Sequence, residues 1–291
     1  MRRNTVYKRA VGALTIGAVR IAETVAPRYV ERKVAHAFLT PRKGRARSRR
    51  FDLPEPDQSV RVCVDGMWIA AWRWGEGPAV MLVHGWEDDH RTFAAIITAL
   101  RRQGRAVVAF DLPAHGRSGG EIAILPTIAR AIRQLSALLG PVSTIAGHSF
   151  GGAAVTYALA QGAKAERAVI IAAPVSIARA LDFVSKRLRL SPARKAGIHE
   201  ELHRRTGVTV ESLELEPMAA QLPSVPALII HSRDDTMVMA HSSERLAQAW
   251  PGATLMMVDG LGHRRVLSDP AMVARVVSFL CGGVPAQASV G

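Results

Sequence analysis

The sequence predicts an α/β domain in which a mostly parallel sheet carries helices on both faces. Two observations predict it. Apolar runs of strand character alternate with segments of helical period from residue 60 to residue 280, and such alternation builds a sheet covered on both sides. The residues with chemistry to offer, Ser149, Asp234, Asp235 and His263, each follow the carboxyl end of such a run, where open parallel sheets place their active sites.

The elements follow in order. Residues 60–64 alternate and meet Asp65-Gly66, a strong hairpin turn, so residues 67–74 return as an antiparallel edge partner. Residues 79–83, 105–110, 142–146, 168–172, 227–231 and 253–258 read as strands, being short and apolar. Residues 91–102, 124–139, 152–160, 240–250 and 271–280 read as the helices around them. Residues 177–222 break the alternation. Ile177, Leu181, Val184 and Leu188 lie three or four apart, and Ser191-Pro192 suits the cap and first turn of a second helix. The segment is long for a plain connection and reads as a small helical cap built into the domain.

Composition narrows the function. The 291 residues are 48% hydrophobic, ample for a buried core. The net charge of +14 is concentrated: residues 1–50 hold 14 Lys/Arg against 2 Asp/Glu, and the remainder holds 24 against 22. A nearly neutral body argues against a nucleic-acid enzyme, which would carry its basic patch at the site. Cys63 and Cys281 make no disulfide framework and point to a reducing, cytoplasmic setting. No apolar run approaches the ~20 residues of a membrane span.

Residues 1–50 read as a basic arm ahead of a body at 51–291. Val11, Leu14, Ala18, Ile21 and Val25 form one apolar stripe, which Pro27 should break or kink. A second helix is expected over 28–39, with Val30, Val34, Ala37 and Phe38 on one face. Residues 41–50, with six basic side chains in ten, read as an exposed linker. The first expectation is that these helices dock on the body. The second is peripheral contact with anionic lipid, the usual reading of a basic amphipathic helix, which would make the protein membrane-associated. An export signal fits less well, because Arg20 interrupts the apolar stretch 10–19 early.

The chemistry gathers at four places. Gly147-His148-Ser149-Phe150-Gly151 fits G-x-S-x-G, a turn that forces the serine outward and needs glycine on either side. His84-Gly85-Trp86 ends the run 79–83, Asp234-Asp235 follows the run 227–231, and Gly260-Leu261-Gly262-His263 follows the run 253–258. The chain order is therefore Ser, Asp, His. With Asp111-Leu112-Pro113-Ala114-His115-Gly116-Arg117-Ser118 added, the chain resembles the α/β-hydrolase superfamily, in its serine-nucleophile, esterase-like form with a basic N-terminal arm, over roughly residues 60–280.

The resemblance implies the α/β-hydrolase fold and a triad. Ser149 would be the nucleophile, His263 the base and Asp235 the acid that fixes the histidine tautomer. Asp235…Val238 fits the superfamily's spacing, although Met239 replaces a common proline, and Asp234 stays the alternative. The backbone N–H groups of Trp86 and Phe150 would form the oxyanion hole, with His84, Gly85, Gly147 and Gly151 in support. His84 and His148 read as structural, Asp111 with His115 as shaping a turn, and Asp88, Asp89 and His90 as capping a helix. No metal or cofactor is expected: His115 with Asp111 lacks a zinc ligand set, and no phosphate loop or dinucleotide fingerprint is present.

The expected function is hydrolysis of a small carboxylic ester or thioester through an acyl-enzyme, on a small-molecule acyl substrate. Acyl transfer, cleavage of a carbon–carbon bond on the same triad, and a non-enzymatic binding module with this fold stand as alternatives. Acyl length, oligomeric state and the role of the arm stay open.

Overall fold

A computed structural model describes residues 24–42, 52–222 and 225–283. The stripe Val11–Val25, apart from its last member, and most of the expected linker lie outside these residues.

Eight strands form one sheet in the order β1-β2-β4-β3-β5-β6-β7-β8. β1 (Gln58–Val64) and β2 (Met67–Trp74) make the expected hairpin. Asp65 and Gly66 both take positive φ, 49° and 75°, as its two-residue turn requires. β2 then pairs antiparallel with β4 (Ala106–Phe110), and β3 (Ala79–Val83), β5 (Val142–His148), β6 (Arg167–Ile171), β7 (Ala227–Ser232) and β8 (Ala253–Val258) continue in parallel. The chain moves from β3 to β4 on one side and returns to place β5 on the other. The loops leaving β3 and β5 therefore part over the sheet, which opens a crevice at their carboxyl ends.

Strand side chains alternate between two cores. Ala79, Met81 and Val83 of β3 face one way, into a core with α3 (Leu125–Leu138) and α4 (Phe150–Ala160). Val80 and Leu82 face the other, towards α2 (Ala94–Arg102) and α10 (Pro270–Leu280). That division is what the two-sided apolar runs demand. α2 begins later than its periodicity suggests, because a short 3₁₀ turn, His90–Phe93, precedes it.

A third core lies above the sheet. α1 (Pro27–Leu39) lies against the cap helices α5 (Ile177–Leu188) and α6 (Pro192–Thr206), with Val30, Val34 and Leu39 buried among Leu181, Val184, Leu188, Ile198 and Leu202. The expected break falls here: Thr24 and Val25 are helical, Ala26 interrupts, and Pro27 starts α1, a position where its missing N–H costs nothing. Ser191 caps α6 by accepting from the Arg194 N–H. A short α7 (Leu215–Ala219) leads back to β7, and α8 (His241–Ala249) and the one-turn α9 (Gly262–Arg265) flank β8. The expected linker is corrected at its start: Pro41 is buried and Arg42 half-buried.

Candidate active site

Ser149 sits between β5 and α4 at φ 53°, ψ −124°, a strained conformation for a residue with a side chain. The glycines around it answer close approaches. A Cβ on Gly147 would come within 2.5 Å of the Gly151 carbonyl oxygen, and one on Gly151 within 2.1 Å of the Val83 carbonyl oxygen. The elbow is thereby pressed against the end of β3. Phe150 is the first residue of α4, so its N–H has no partner within the helix. Gly85 lies against the elbow too, where an added Cβ would meet Ser149 Cβ at 3.0 Å. Trp86 follows, its ring edge-on to that of Phe150 at 5.3 Å.

Asp235 and His263 meet. His263 Nδ1 donates to Asp235 Oδ2 at 2.6 Å, which leaves Nε2 as the ring's basic nitrogen. Asp235 is buried. Its second oxygen accepts from the N–H groups of Met237 at 2.7 Å and Val238 at 3.1 Å. Burial alone would raise its pKa, but the hydrogen bonds from His231 and His263 outweigh it and hold the carboxyl well below the ordinary range. Asp234 makes no hydrogen bond to His263. It accepts from Ser232 Oγ at 2.5 Å and from the Gly262 N–H at 3.1 Å, and so steadies the histidine loop.

His231 was not among the candidates. It is fully buried, with Nε2 at 3.2 Å from Asp235 Oδ2 and 3.1 Å from the Val238 carbonyl oxygen. Two acceptors around Nε2 put the proton there, and Nδ1 then accepts from Ser243 Oγ at 2.7 Å. The sequence signal was only a histidine in an apolar strand four residues before Asp235.

The remaining histidines brace the backbone. His84 Nε2 accepts the Leu112 N–H at 2.9 Å, so its Nδ1–H donates to the Gly85 carbonyl at 2.8 Å. Burial lowers its pKa. His148 Nε2 donates to the His263 carbonyl at 2.8 Å, joining the elbow to the histidine loop. Burial, with the nearby His263, lowers its pKa to about 3, so it stays neutral. Asp111 accepts from the Arg117 N–H at 2.7 Å and from His90 Nδ1 at 2.8 Å, while His115 Nδ1 donates to the Pro113 carbonyl at 2.8 Å. The capping expectation is corrected for two of its three residues. Asp89 caps the 3₁₀ turn, but Asp88 pairs with Arg264 and His90 with Asp111.

Above Ser149 lies a cavity of about 450 Å³, within the range of small-molecule sites. Trp86, Phe150 and Ser149 line it below, with Met237 and Val238 beside them. Ile177, Ala180, Val184 and Leu188 of α5 close one side, and α1 closes another.

Residues 80–276 match the model of the alpha/beta hydrolase family. The chain belongs to the alpha/beta hydrolase family. The match takes in Ser149, Asp235 and His263 and leaves out α1. A human serine hydrolase-like protein is 40% identical over 100 residues, covering 32% of this chain and 49% of its own length. The chain thus spans about half the length of that curated relative. An esterase from Exiguobacterium antarcticum superposes with a TM-score of 0.61 at 18% identity, over 77% of this chain and 100% of its own. A membrane phospholipase A, a bacterial virulence factor, superposes with a TM-score of 0.60 at 19% identity over 95% of this chain and 96% of its own. At such identities these two structures bear on the fold alone.

Proposed function

We propose that this alpha/beta hydrolase cleaves a small carboxylic ester or thioester with an apolar acyl group. Ser149 Oγ attacks the carbonyl as His263 Nε2 takes its proton, and Asp235 stabilises the imidazolium that forms. The N–H groups of Trp86 and Phe150 hold the developing oxyanion. His263 returns the proton to the leaving group, and water then releases the acyl group by the same route. The observation that carries this reading is the 2.6 Å contact from His263 Nδ1 to Asp235 Oδ2, in a histidine loop that His148 ties to the elbow bearing Ser149 at φ 53°. Labelling with a fluorophosphonate, wild type beside Ser149→Ala, tests it. Labelling that depends on Ser149 is the expected result; folded protein that does not label would leave the binding module as the better account. Acyl transfer and carbon–carbon hydrolysis share this first half, and product analysis with added alcohol separates the former.

One observation favours a second reading, an ester drawn from a membrane surface. α1 exposes Tyr29, Arg32, Lys33 and His36, the last two also lining the cavity, and Lys33 lies over the Tyr29 ring at 5.5 Å. Aromatic and basic side chains together suit an anionic interface. Among the described residues no helix is long and apolar enough to cross a membrane, so such contact would be peripheral. Sedimentation of the full chain with phosphatidylglycerol vesicles, against phosphatidylcholine vesicles, decides it. Equal recovery in both supernatants would remove this reading.

A further inference from the structure

The roof of the cavity comes partly from a segment outside the family match. α1 contributes Val34, Ala37 and Phe38 to the lining, opposite Ile177, Val184 and Leu188 of α5. This wall is fixed in place. Val34 also packs in the third core. Glu31 pairs with Arg194 and lies so close to α6 that a Cβ on Gly197 would come within 2.2 Å of its carboxylate oxygen. At the other end the Leu39 carbonyl accepts from the Ala123 N–H at 2.9 Å. A helix held at both ends keeps its cavity-facing side chains at a constant distance from Ser149.

The chemistry of the lining selects an occupant. Its depth is aliphatic and aromatic, and its charged members, Lys33, Arg42 and Glu87, are exposed or half-exposed. A charge carried along the acyl chain would lose its water without a partner, a large cost. An aliphatic chain loses nothing and gains burial. If a methylene takes about the 30 Å³ that a water molecule occupies in the liquid, the cavity holds roughly ten to fifteen heavy atoms.

We infer that α1 is the chain-length wall of an acyl site for medium-chain aliphatic esters, with Ala37 and Phe38 setting its depth. This rests on the reading of Ser149 as nucleophile and adds the substrate class to it. Ala37 is the smallest apolar side chain that α1 presents to the cavity, so Ala37→Phe shortens the site, and Phe38→Ala lengthens it.

The test compares p-nitrophenyl butyrate with p-nitrophenyl decanoate. In Ala37→Phe the decanoate-to-butyrate ratio of kcat/KM falls by about tenfold or more, as misfit in an apolar pocket does. In Phe38→Ala it rises. In parallel, calorimetry follows decanoate binding to Ser149→Ala with and without Ala37→Phe, where Kd is expected to weaken about tenfold by the same misfit. Ratios that stay constant or move the wrong way in both variants overturn the inference while Ser149 labelling still stands. If Ser149 proves inert, the calorimetric arm still decides, and an unmoved Kd overturns the wall.

Discussion

In the floor, Ser149 with the residues behind Met237 and Val238 of the cavity lining, Asp235 accepts four hydrogen bonds, from His231, His263 and the N–H groups of Met237 and Val238, and His148 ties the elbow to the His263 carbonyl. The roof is held differently. Val30 and Leu39 of α1 meet Leu181, Leu188 and Ile198 of the cap through apolar contact, with Glu31–Arg194 as an ion pair between them. Hydrogen bonds are directional and fail when one partner moves or vanishes. Apolar burial is non-directional and scales with area. The difference teaches where each property would reside on the proposed function: the chemistry would depend on single atoms of the floor, and selectivity on the contour of the roof.

The largest effects should therefore come from the floor. Ser149→Ala is expected to lower kcat by about a millionfold, the scale seen when a serine hydrolase loses its nucleophile. Steady-state ester hydrolysis reads it, and retained turnover would break the comparison at its root. Asp235→Asn should cost about 10⁴-fold, because the amide favours the wrong histidine tautomer. Asp234→Asn should cost far less, since Asp234 accepts from Ser232 Oγ and the N–H of Gly262 and makes no hydrogen bond to His263. Equal losses at the two positions would mean that the histidine changes partner during turnover.

His231 sharpens the point, because on the proposed mechanism it would act through its hydrogen bond to Asp235. His231→Leu fills the space and removes the donor. A hydrogen bond to a charged group is worth about 1.5–3 kcal/mol, so kcat should fall about 10–100-fold. KM should hardly move, and His231→Gln, whose amide can donate from a similar position, should recover part of the loss. A rise in KM with kcat intact would show His231 to be an ordinary packing residue.

The same floor predicts an acid response. His148 and His115 are buried, and desolvation lowers each to about 3. An unfolded histidine binds its proton near pH 6.5. Between those values the unfolded chain holds more protons than the folded one, so stability falls as pH drops from about 6.5 towards 3. The depressed pKa values of Asp111 and Asp235 act in a lower window, adding stability above the ordinary carboxylate range and losing it only as pH falls through their folded values. Thermal unfolding of wild type and His148→Gln at stepped pH checks this. The variant should show a flatter decline between pH 6.5 and 4, and parallel curves would refute the assignment.

The floor was legible in the sequence because its parts are local. A strand must end, a turn must follow, and Gly147, Gly151 and Gly85 sit where Cβ atoms would collide, so the pattern survives in one dimension. The alternation of apolar runs and helical segments gave the strand positions for the same reason. The choice between Asp234 and Asp235 rested on spacing, and the structure puts Asp235 against His263. His231 was illegible because its partners depend on how the turn after β7 folds back. The use of α1 as a cavity wall was equally hidden. Its apolar face could be read from Val30 and Val34, but the surface it would cover lies more than a hundred residues along the chain, at α5 and α6.

Roof and floor meet at Arg42 and Glu87, and this contact should show the smallest effect. Glu87 follows Trp86 at φ 55°, and its carboxylate accepts from the Arg42 N–H at 3.3 Å and faces Arg42 Nε at 3.6 Å. Arg42→Ala keeps the backbone bond and removes the ion pair. The Arg42 side chain is 39% exposed, and exposed pairs contribute about 0–1 kcal/mol, so kcat should fall less than about fivefold. The wild-type advantage should also fade in high salt, since screening acts on this pair and not on the buried bonds below. A loss of a hundredfold, insensitive to salt, would mean that the arm sets the position of the Trp86 N–H itself. Chemistry would then depend on the roof as well as the floor, and the arm would have to be counted among the elements that build the oxyanion site.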